Sequence, residues 1–310
     1  MSTRPPFDEL FGQVQTFPDF EPRERLARLV GVDTYKDRLT KMLGLLVNPA
    51  SLERWAATHH NGANSLVRDF ARRPPLVVLA GDVGSGKSEL AETIGDAVAR
   101  QQEIDVTLLP MSLSTRGQGR VGEMTQLISA AFDYTVEEAE KLKRSSGSAQ
   151  GAVILLVDEA DALAQSREAA QMHHEDRAGV NAFIRGIDRI GTGRLPAAVI
   201  MCTNRLSALD PAVRRRAADI LPFGRPTDMQ RAAVLAGPLK EAGFSDRQIG
   251  EIVKATGPTS GREYGCTFSD LTQRYIPSVV LDAYPNKAIS TERALELARE
   301  FEPTPPFQDS

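Results

Sequence analysis

The chain contains 310 residues, of which 25% are charged and 41% are hydrophobic, and its formal net charge is −4. This length can bury one large core and one smaller core, and the acidic balance argues against a broad nucleic-acid or membrane surface. The longest apolar runs hold about six residues, far fewer than the ~20 that cross a bilayer. The N-terminus lacks the apolar segment of a secretory signal, and only two distant cysteines, Cys202 and Cys266, are present. We therefore expect a reduced, cytoplasmic protein without a membrane partner.

Residues 1–28 are polar and contain prolines, so we predict an N-terminal arm there, followed by a helix over residues 34–47. From residue 76 onward, short apolar runs alternate with helical patterns. The predicted strands are Leu76–Ala80, Val106–Leu109, Ala152–Val157, Ala197–Cys202 and Ile220–Phe223, and the predicted helices between them are Lys87–Arg100, Glu123–Phe132 and Asn181–Ile190. Fully apolar strands that alternate with helices predict a parallel sheet covered on both faces. Beyond residue 224 the pattern becomes helical, for example over Met229–Leu239 and Asp246–Ala255, and we place a domain boundary there.

A glycine-rich loop follows the first of these strands and opens a helix. The segment Gly81–Ser88 reads G-x-x-x-x-G-K-S, the pattern that cradles phosphates in nucleoside triphosphatases. Its glycines allow the backbone N–H groups to turn inward, and the helix that follows directs its positive end to the same place. We predict that Lys87 contacts the β- and γ-phosphates and that Ser88 binds Mg²⁺.

Polar side chains also end two later strands. Asp158 and Glu159 follow Gly151–Val157, at the edge where open α/β sheets bind ligands. We predict that Asp158 joins the Mg²⁺ shell and that Glu159 is the general base for the attacking water, although an acidic first turn of a helix also fits them. Asn204 follows the strand that ends in Cys202, and it either orients that water, senses the γ-phosphate or simply forms a turn.

Three consecutive arginines, Arg214, Arg215 and Arg216, follow soon after. They fit a solvated or nucleic-acid-binding patch, or they contain an arginine finger that reaches the γ-phosphate of a neighbouring subunit. We favour Arg215 and Arg216 as the finger. A finger supplied by a neighbour requires an oligomer.

These motifs, in this order, resemble the AAA+ ATPases, and the resemblance extends over about residues 29 to 285. It rests on Leu29–Asp33, Gly81–Ser88, Val157–Asp161, Thr203–Asn204 and Leu209–Ala212. It implies a P-loop αβα ATPase domain with a five-stranded parallel sheet over residues 29–224, a small helical lid over residues 225–310, and assembly into a homohexameric ring. The cofactors that it implies are ATP and Mg²⁺.

The resemblance also implies which residues contact the nucleotide. Val30 and Gly31 would line the adenine pocket, and one arginine of the lid would approach the phosphates. The other implied contacts are Gly81, Val83, Gly84, Ser85, Gly86, Lys87, Ser88, Glu89 and Asp158. The wording Ser260-Gly261-Arg262 favours Arg262 as the lid arginine, whereas spacing from Pro277 makes Arg274 the alternative.

A closer resemblance is to the pachytene-checkpoint-type ATPases, which unfold the N-terminus of closed HORMA-domain proteins. It rests on residues 161–170, 180–190, 216–220 and 273–277. With only about 30 residues before Val30, the chain looks like the short bacterial form that accompanies anti-phage operons of the CBASS type. The implied partner is therefore a HORMA-domain protein, gripped by a pore loop that here contains Arg116, Gln118 and Arg120 but no aromatic residue.

Two other functions remain open on the sequence. One is a nucleic-acid-associated AAA+ ATPase of the helicase-loader or clamp-loader kind, which only the arginine run supports. The other is a remodeller similar to Rubisco activase, which shares the ATPase core but acts on another target.

Overall fold

The computed structural model describes residues 5–62, 64–112, 123–144, 149–163 and 174–306. The chain divides into two compact units. The first unit contains Met1–Arg28, Thr34–Ala80 and Ser88–Pro222, and the second contains Leu29–Asp33, Gly81–Lys87 and Phe223–Ser310. The domain boundaries given above, at residues 28 and 224, stay a prediction.

The first unit is built on a mixed sheet. Its strands are β1 (Gln15–Phe17), β2 (Leu76–Gly81), β3 (Asp105–Ser112), β4 (Gly151–Asp158), β5 (Ala197–Thr203) and β6 (Ala217–Phe223), in the order β1-β3-β4-β5-β2-β6. The pairs β3–β4, β4–β5 and β2–β5 are parallel, so the carboxyl ends of β2, β4 and β5 meet at one edge of the sheet. Because β4 and β5 are buried along almost their whole length, the apolar runs predicted them well.

The strand β1 was missed, so the predicted five-stranded parallel sheet has a sixth, antiparallel strand at its edge. Gln15 pairs with Leu108 and Phe17 with Val106, and the Phe17 ring is buried. The segment that the sequence described as an arm thus extends the sheet. A strand of three residues followed directly by Pro18 is too short to give an alternating pattern, which is why the sequence did not predict it.

Helices cover the sheet on the first unit. They are α1 (Phe7–Leu10), α2 (Phe20–Arg28), α3 (Asp33–Val47), α4 (Ala50–His59), α5 (Asn64–Phe70), α6 (Lys87–Gln102), α7 (Glu123–Leu142), α8 (His174–Gly193) and α9 (Pro211–Arg214). The helix α7 ends later than the predicted Phe132 because Val136 and Ala139 continue its buried face into the core.

The second unit is mainly helical, as predicted. It contains α10 (Asp228–Glu241), α11 (Asp246–Ala255), a π-helical turn (Asp270–Tyr275), α12 (Ile276–Ala283) and α13 (Thr291–Glu300). Capping boxes at Thr227 and Ser245 begin α10 and α11, and these helices pack around a separate core. Among the residues that the model describes, we find no helix that combines the length and the apolar character of a membrane span.

Candidate active site

The glycines of the phosphate loop stand where other residues do not fit. Gly81 has φ +151°, and a Cβ atom there would lie 1.9 Å from the carbonyl oxygen of Phe223. Gly84 has φ +70°, and a Cβ there would lie 2.7 Å from the hydroxyl of Thr267. Gly86, at φ +92°, is also in the left-handed region. The loop therefore needs glycine for both conformation and close approach.

Lys87 lies at the end of this loop and begins α6, and only 6% of it is exposed. Its ammonium group donates to the carbonyl oxygens of Gly81 (2.9 Å) and Asp82 (2.7 Å) and to the hydroxyl of Ser85 (3.3 Å). The cation is thus held inside the curl of the loop, at the positive end of a helix dipole, which is the arrangement that binds phosphate groups.

Arg225 fixes the near end of the loop, and the sequence analysis missed it. Its guanidinium forms an ion pair with Asp82 (Nε–Oδ2 2.6 Å), donates to the carbonyl oxygen of Gly265 (2.7 Å) and stacks over the Tyr264 ring at 4.8 Å. Both side chains of the pair are more than four-fifths buried. The sequence signal would have been Arg225-Pro226 directly after the last strand, but nothing in it names Asp82 as the partner.

Ser88 and Asp158 provide the oxygen ligands that Mg²⁺ prefers. The Ser88 hydroxyl donates to Asp158 Oδ1 at 3.2 Å, so α6 and the end of β4 bring these two oxygens together. Adjacent ligands of an octahedral Mg²⁺ with bonds of about 2.1 Å lie roughly 3 Å apart, so the pair fits the ion. No cluster of three acidic, histidine or cysteine ligands occurs among the described residues, so phosphate and water oxygens would complete the shell.

Glu159 follows Asp158 in a strained backbone conformation. Its φ is +52°, a region that non-glycine residues rarely adopt, and its N–H donates to Asp158 Oδ1 at 2.9 Å. The side chain is exposed, whereas the next residue, Ala160, is fully buried. The tight turn therefore presents the Glu159 carboxylate at the sheet edge, and strain of this kind is frequent at functional sites.

Asn204 follows β5 and is bound by the carboxylate of Asp161, to which the sequence analysis gave no role of its own. Asp161 Oδ1 accepts from the Thr203 hydroxyl (2.6 Å) and from the Asn204 N–H (2.9 Å). Asp161 Oδ2 accepts from Asn204 Nδ2 at 3.1 Å. The ends of the neighbouring strands β4 and β5 are thereby tied together.

The arginine run differs along its length. Arg214 and Arg215 are exposed, whereas Arg216 forms a two-pronged ion pair with Asp188 of α8 (2.7 and 2.9 Å) and donates to the carbonyl oxygen of Ala212 (3.2 Å). The hydrogen bonds that Arg216 donates to Asp188 raise the pKa of Arg216 above its ordinary value. Arg216 is thus bound within its own chain, and Arg215 is the more accessible of the two favoured finger residues.

Two further predicted nucleotide contacts already have protein partners. The carbonyl oxygen of Gly31 accepts from Gln230 Nε2 at 2.9 Å, and Gly31 has φ +75°, where a Cβ would overlap the same side chain. The carboxylate of Glu89 accepts two hydrogen bonds from Arg25 of α2 (2.8 and 2.9 Å). Val30 is half-buried, and Val83 of the phosphate loop is 41% exposed.

The two candidate lid arginines occupy different environments. Arg262 donates to three backbone carbonyl oxygens, those of Ala255 (3.1 Å), Gly257 (2.7 Å) and Phe301 (2.9 Å). Arg274 has a side chain that is 52% exposed, although it pairs with Asp270 at 2.8 Å. The geometry gives Arg262 a structural use and leaves Arg274 as the more accessible candidate. The predicted pore residues Arg116, Gln118 and Arg120 lie outside the described residues.

Comparison with known proteins gives a consistent result. A family model described as "ATPase family associated with various cellular activities (AAA)" matches residues 77–225. A relative from Escherichia coli strain MS 115-1, "CD-NTase-associated protein 6", is 64% identical over 309 residues, which are 100% of this chain and 99% of that protein. The chain is similar to a solved chain from the E. coli MS115-1 HORMA:CdnC:Trip13 complex, with TM-score 0.92, 64% identity, and coverage of 99% of this chain and 100% of that chain. It is also similar to a Rhizobiales Trip13 structure, with TM-score 0.75, 57% identity, and coverage of 96% and 100%.

Proposed function

This chain belongs to the AAA family of ATPases, and from that premise we propose that it uses ATP hydrolysis to remodel a HORMA-domain protein in an anti-phage system of the CBASS type. As a member of the family it binds and hydrolyses ATP. The observation that carries the remodelling proposal is the similarity, over nearly the whole of both chains, to a component of a complex that contains a HORMA protein.

We assign the phosphate-binding steps to the loop Gly81–Ser88. In this proposal its backbone N–H groups and the Lys87 ammonium hold the triphosphate, and the Ser88 and Asp158 oxygens hold Mg²⁺. When bound, Mg²⁺ neutralises charge that develops on the phosphate oxygens. The short Ser88–Asp158 contact and the enclosed position of Lys87 support these roles.

The proposed hydrolysis uses Glu159 as the general base. The carboxylate accepts one proton from water, the water oxygen forms a bond to the γ-phosphorus, and the bond between this phosphorus and the bridging oxygen breaks, so ADP leaves with the electron pair. The exposed position of Glu159 on its strained turn supports this role because the side chain is turned away from the core.

We propose that the site is completed by a neighbouring copy of the chain in a homohexameric ring. Arg215 is the finger in this proposal, because it is exposed while Arg216 is bound to Asp188. For the lid arginine we propose Arg274 rather than Arg262, because three backbone carbonyls already occupy the Arg262 guanidinium. A cytoplasmic setting agrees with Cys202 and Cys266, which are both buried and not in disulfides.

A trapping experiment tests the proposal. Glu159→Gln should bind ATP, lose hydrolysis and hold the HORMA protein of the E. coli MS115-1 complex through size-exclusion chromatography. Lys87→Ala is the matched control, because it should bind neither ATP nor the HORMA protein. If the parent protein hydrolyses ATP but Glu159→Gln retains no HORMA protein, the substrate assignment is wrong while the ATPase assignment stands.

A further inference from the structure

We propose that Asp161 is the positioning residue that sets the orientation of the Asn204 amide, and that Asn204 thereby accepts a hydrogen bond from the attacking water. This inference rests on the proposed site. It goes beyond it because it names a residue to which the proposed reaction gives no part. It also chooses among the three readings that the sequence left open for Asn204, which were to orient the water, to sense the γ-phosphate or to form a turn.

The first step is the bonding inventory of Asp161. An ionised carboxylate only accepts hydrogen bonds, and this one accepts from the Thr203 hydroxyl (2.6 Å), the Asn204 N–H (2.9 Å) and Asn204 Nδ2 (3.1 Å). The nitrogen and oxygen of an asparagine amide look alike in most structures and are assigned from their partners. Here Asp161 fixes the orientation of the Asn204 amide, because only the amide nitrogen can donate to a carboxylate.

The second step follows from the planarity of the amide. With Nδ2 committed to Asp161, the carbonyl oxygen Oδ1 occupies the other corner of the amide and is available as an acceptor. An attacking water has two protons and must direct a lone pair at phosphorus. Glu159 and Asn204 each accept one hydrogen bond from the water, and only Glu159 then takes up a proton, so a lone pair is left for the attack.

The third step is rigidity. The Thr203 hydroxyl also accepts from the N–H of Arg205 at 3.0 Å, so the turn after β5 is closed by a chain of hydrogen bonds that ends on Asp161. Asp161 itself sits in the 3-10 turn Ala160–Leu163, directly after Glu159 and the buried Ala160. One short segment therefore carries both the proposed base and the group that orients the second water acceptor.

A double-mutant cycle tests this inference. Asp161→Asn keeps the shape but can present its own NH₂ group to Asn204, so the amide of Asn204 is no longer fixed. We expect kcat for ATP hydrolysis to fall about 10- to 100-fold, the effect of a misplacement near 1 Å, with the Kd for ATP within about twofold of the parent. Asn204→Ala should fall by a similar factor, and the double variant should be no slower than Asn204→Ala alone.

Asp96→Asn is the matched control. Asp96 is also a buried carboxylate of the first unit with both oxygens hydrogen-bonded, to the Asp19 N–H and to Arg100 (both 2.9 Å), and we expect its kcat to stay near the parent value. Thr203→Val is a second variant for the case that Asp161→Asn folds poorly, and it should lower kcat without changing the Kd for ATP. An unchanged kcat in the folded variants, or losses that multiply in the double variant, would overturn the role of Asp161. The rate of the parent protein tests the proposed function separately.

Discussion

The sheet edge of the first unit and the helical second unit both contain charged side chains with little exposure. The groups to which these side chains are hydrogen-bonded differ between the two regions. At the sheet edge, the carboxylates of Asp158 and Asp161 accept hydrogen bonds from side chains and from backbone N–H groups, and Glu159 between them is exposed. In the helical unit, Arg231 and Arg262 donate to backbone carbonyl oxygens and so hold loops and helix ends in place. We infer that charge at the edge serves the reaction, whereas charge in the helical unit serves stability.

Asp270 extends the comparison to a carboxylate of the helical unit. Its side chain is 1% exposed and accepts from the backbone N–H groups of Thr267 and Thr304, from the Thr304 hydroxyl and from Arg274. Unlike the exposed Glu159, the Asp270 carboxylate is buried, and both of its oxygens accept hydrogen bonds. In our proposal a carboxylate thus serves the reaction in one unit and the stability of the fold in the other, and the difference lies in its partners.

The largest effect is expected at the arginine run. Arg215→Ala should lower kcat by about 10³-fold, at the low end of what arginine fingers contribute, without changing the melting temperature. Mixing this variant with Lys87→Ala subunits should restore part of the activity, because an interface is intact where a Lys87→Ala subunit supplies its finger to the phosphate loop of an Arg215→Ala subunit. Steady-state hydrolysis across mixing ratios measures this, and an absence of recovery at every ratio would contradict a finger supplied by the neighbour.

Arg216→Ala is the variant to compare with Arg215→Ala. The substitution leaves Asp188 without its ion-pair partner in the same chain. We therefore expect a lower melting temperature in addition to any loss of rate. If Arg216→Ala instead lowers kcat as strongly as Arg215→Ala at an unchanged melting temperature, Arg216 acts in the reaction rather than in the stability of the fold.

The next effect distinguishes the two lid arginines. Arg262→Ala removes three hydrogen bonds to carbonyl oxygens and leaves those acceptors without a donor, which should cost about 3 kcal/mol of unfolding free energy. Arg274→Ala removes a half-exposed guanidinium from the buried Asp270, which keeps its hydrogen bonds from Thr267 and Thr304, so it should cost about 1 kcal/mol, but it should raise the KM for ATP. Denaturant unfolding and hydrolysis kinetics on both variants measure this. A raised KM in Arg262→Ala at parental stability would restore Arg262 as the lid arginine.

Much of the sheet edge was predictable, and the reason is local. The phosphate loop, Asp158, Glu159 and Asn204 each follow an apolar run directly, and parallel strands bring their carboxyl ends together whatever the rest of the fold does. The partner of Asn204 was not predictable. Asp161 looks like any acidic residue in a first turn, and only the register of β4 and β5 places it beside Asn204.

The arginines of the helical unit were harder for a physical reason. An arginine side chain is long, has five N–H donors and bonds wherever acceptors converge, so a three-residue motif does not fix its partner. Arg262 lies in the expected Ser-Gly-Arg sequence. It nevertheless donates to the carbonyl oxygen of Ala255, at the end of α11, and to that of Phe301, directly after α13. Likewise, the edge strand β1 was missed because pairing with β3, not a pattern within Gln15–Phe17, creates it.

Asp270 gives a pH-dependent test of the structural use of charge. Burial by itself raises the pKa of Asp270, but the hydrogen bonds from Thr267 and Thr304 outweigh burial and hold this pKa below its ordinary value. A lowered pKa in the folded state stabilises the fold above the unfolded-state value near 3.9, and this stabilisation is lost as the pH falls through the folded-state pKa. Because Asp270→Asn replaces one buried acceptor oxygen by an NH₂ group, we expect it to cost about 2 kcal/mol at pH 7.

The pH series supplies the contrast with the sheet edge. The difference in melting temperature between the parent and Asp270→Asn should be constant from about pH 5 to 8 and shrink below that range. The kcat of the variant should follow the parent wherever both are folded. A stability difference that persists at the lowest pH would show that shape, not charge, is the contribution of Asp270.

The smallest effect is expected at Arg25 of the first unit, which binds α6 and contacts none of the strand ends through its ion pairs. Its guanidinium binds Glu89 and Glu92 of α6, and all three side chains are between 29% and 38% exposed. Because solvent screens such a pair, Arg25→Ala should cost about 1 kcal/mol at low salt and less at high salt. We expect kcat within about twofold of the parent, and Arg25→Lys should recover little because one ammonium cannot bind two carboxylates in this forked geometry. Hydrolysis rates and thermal melts at two salt concentrations measure both. If Arg25→Ala lowers kcat strongly, the charged side chains that serve the reaction are not confined to the strand ends. They then also include those on α6, the helix that begins at Lys87.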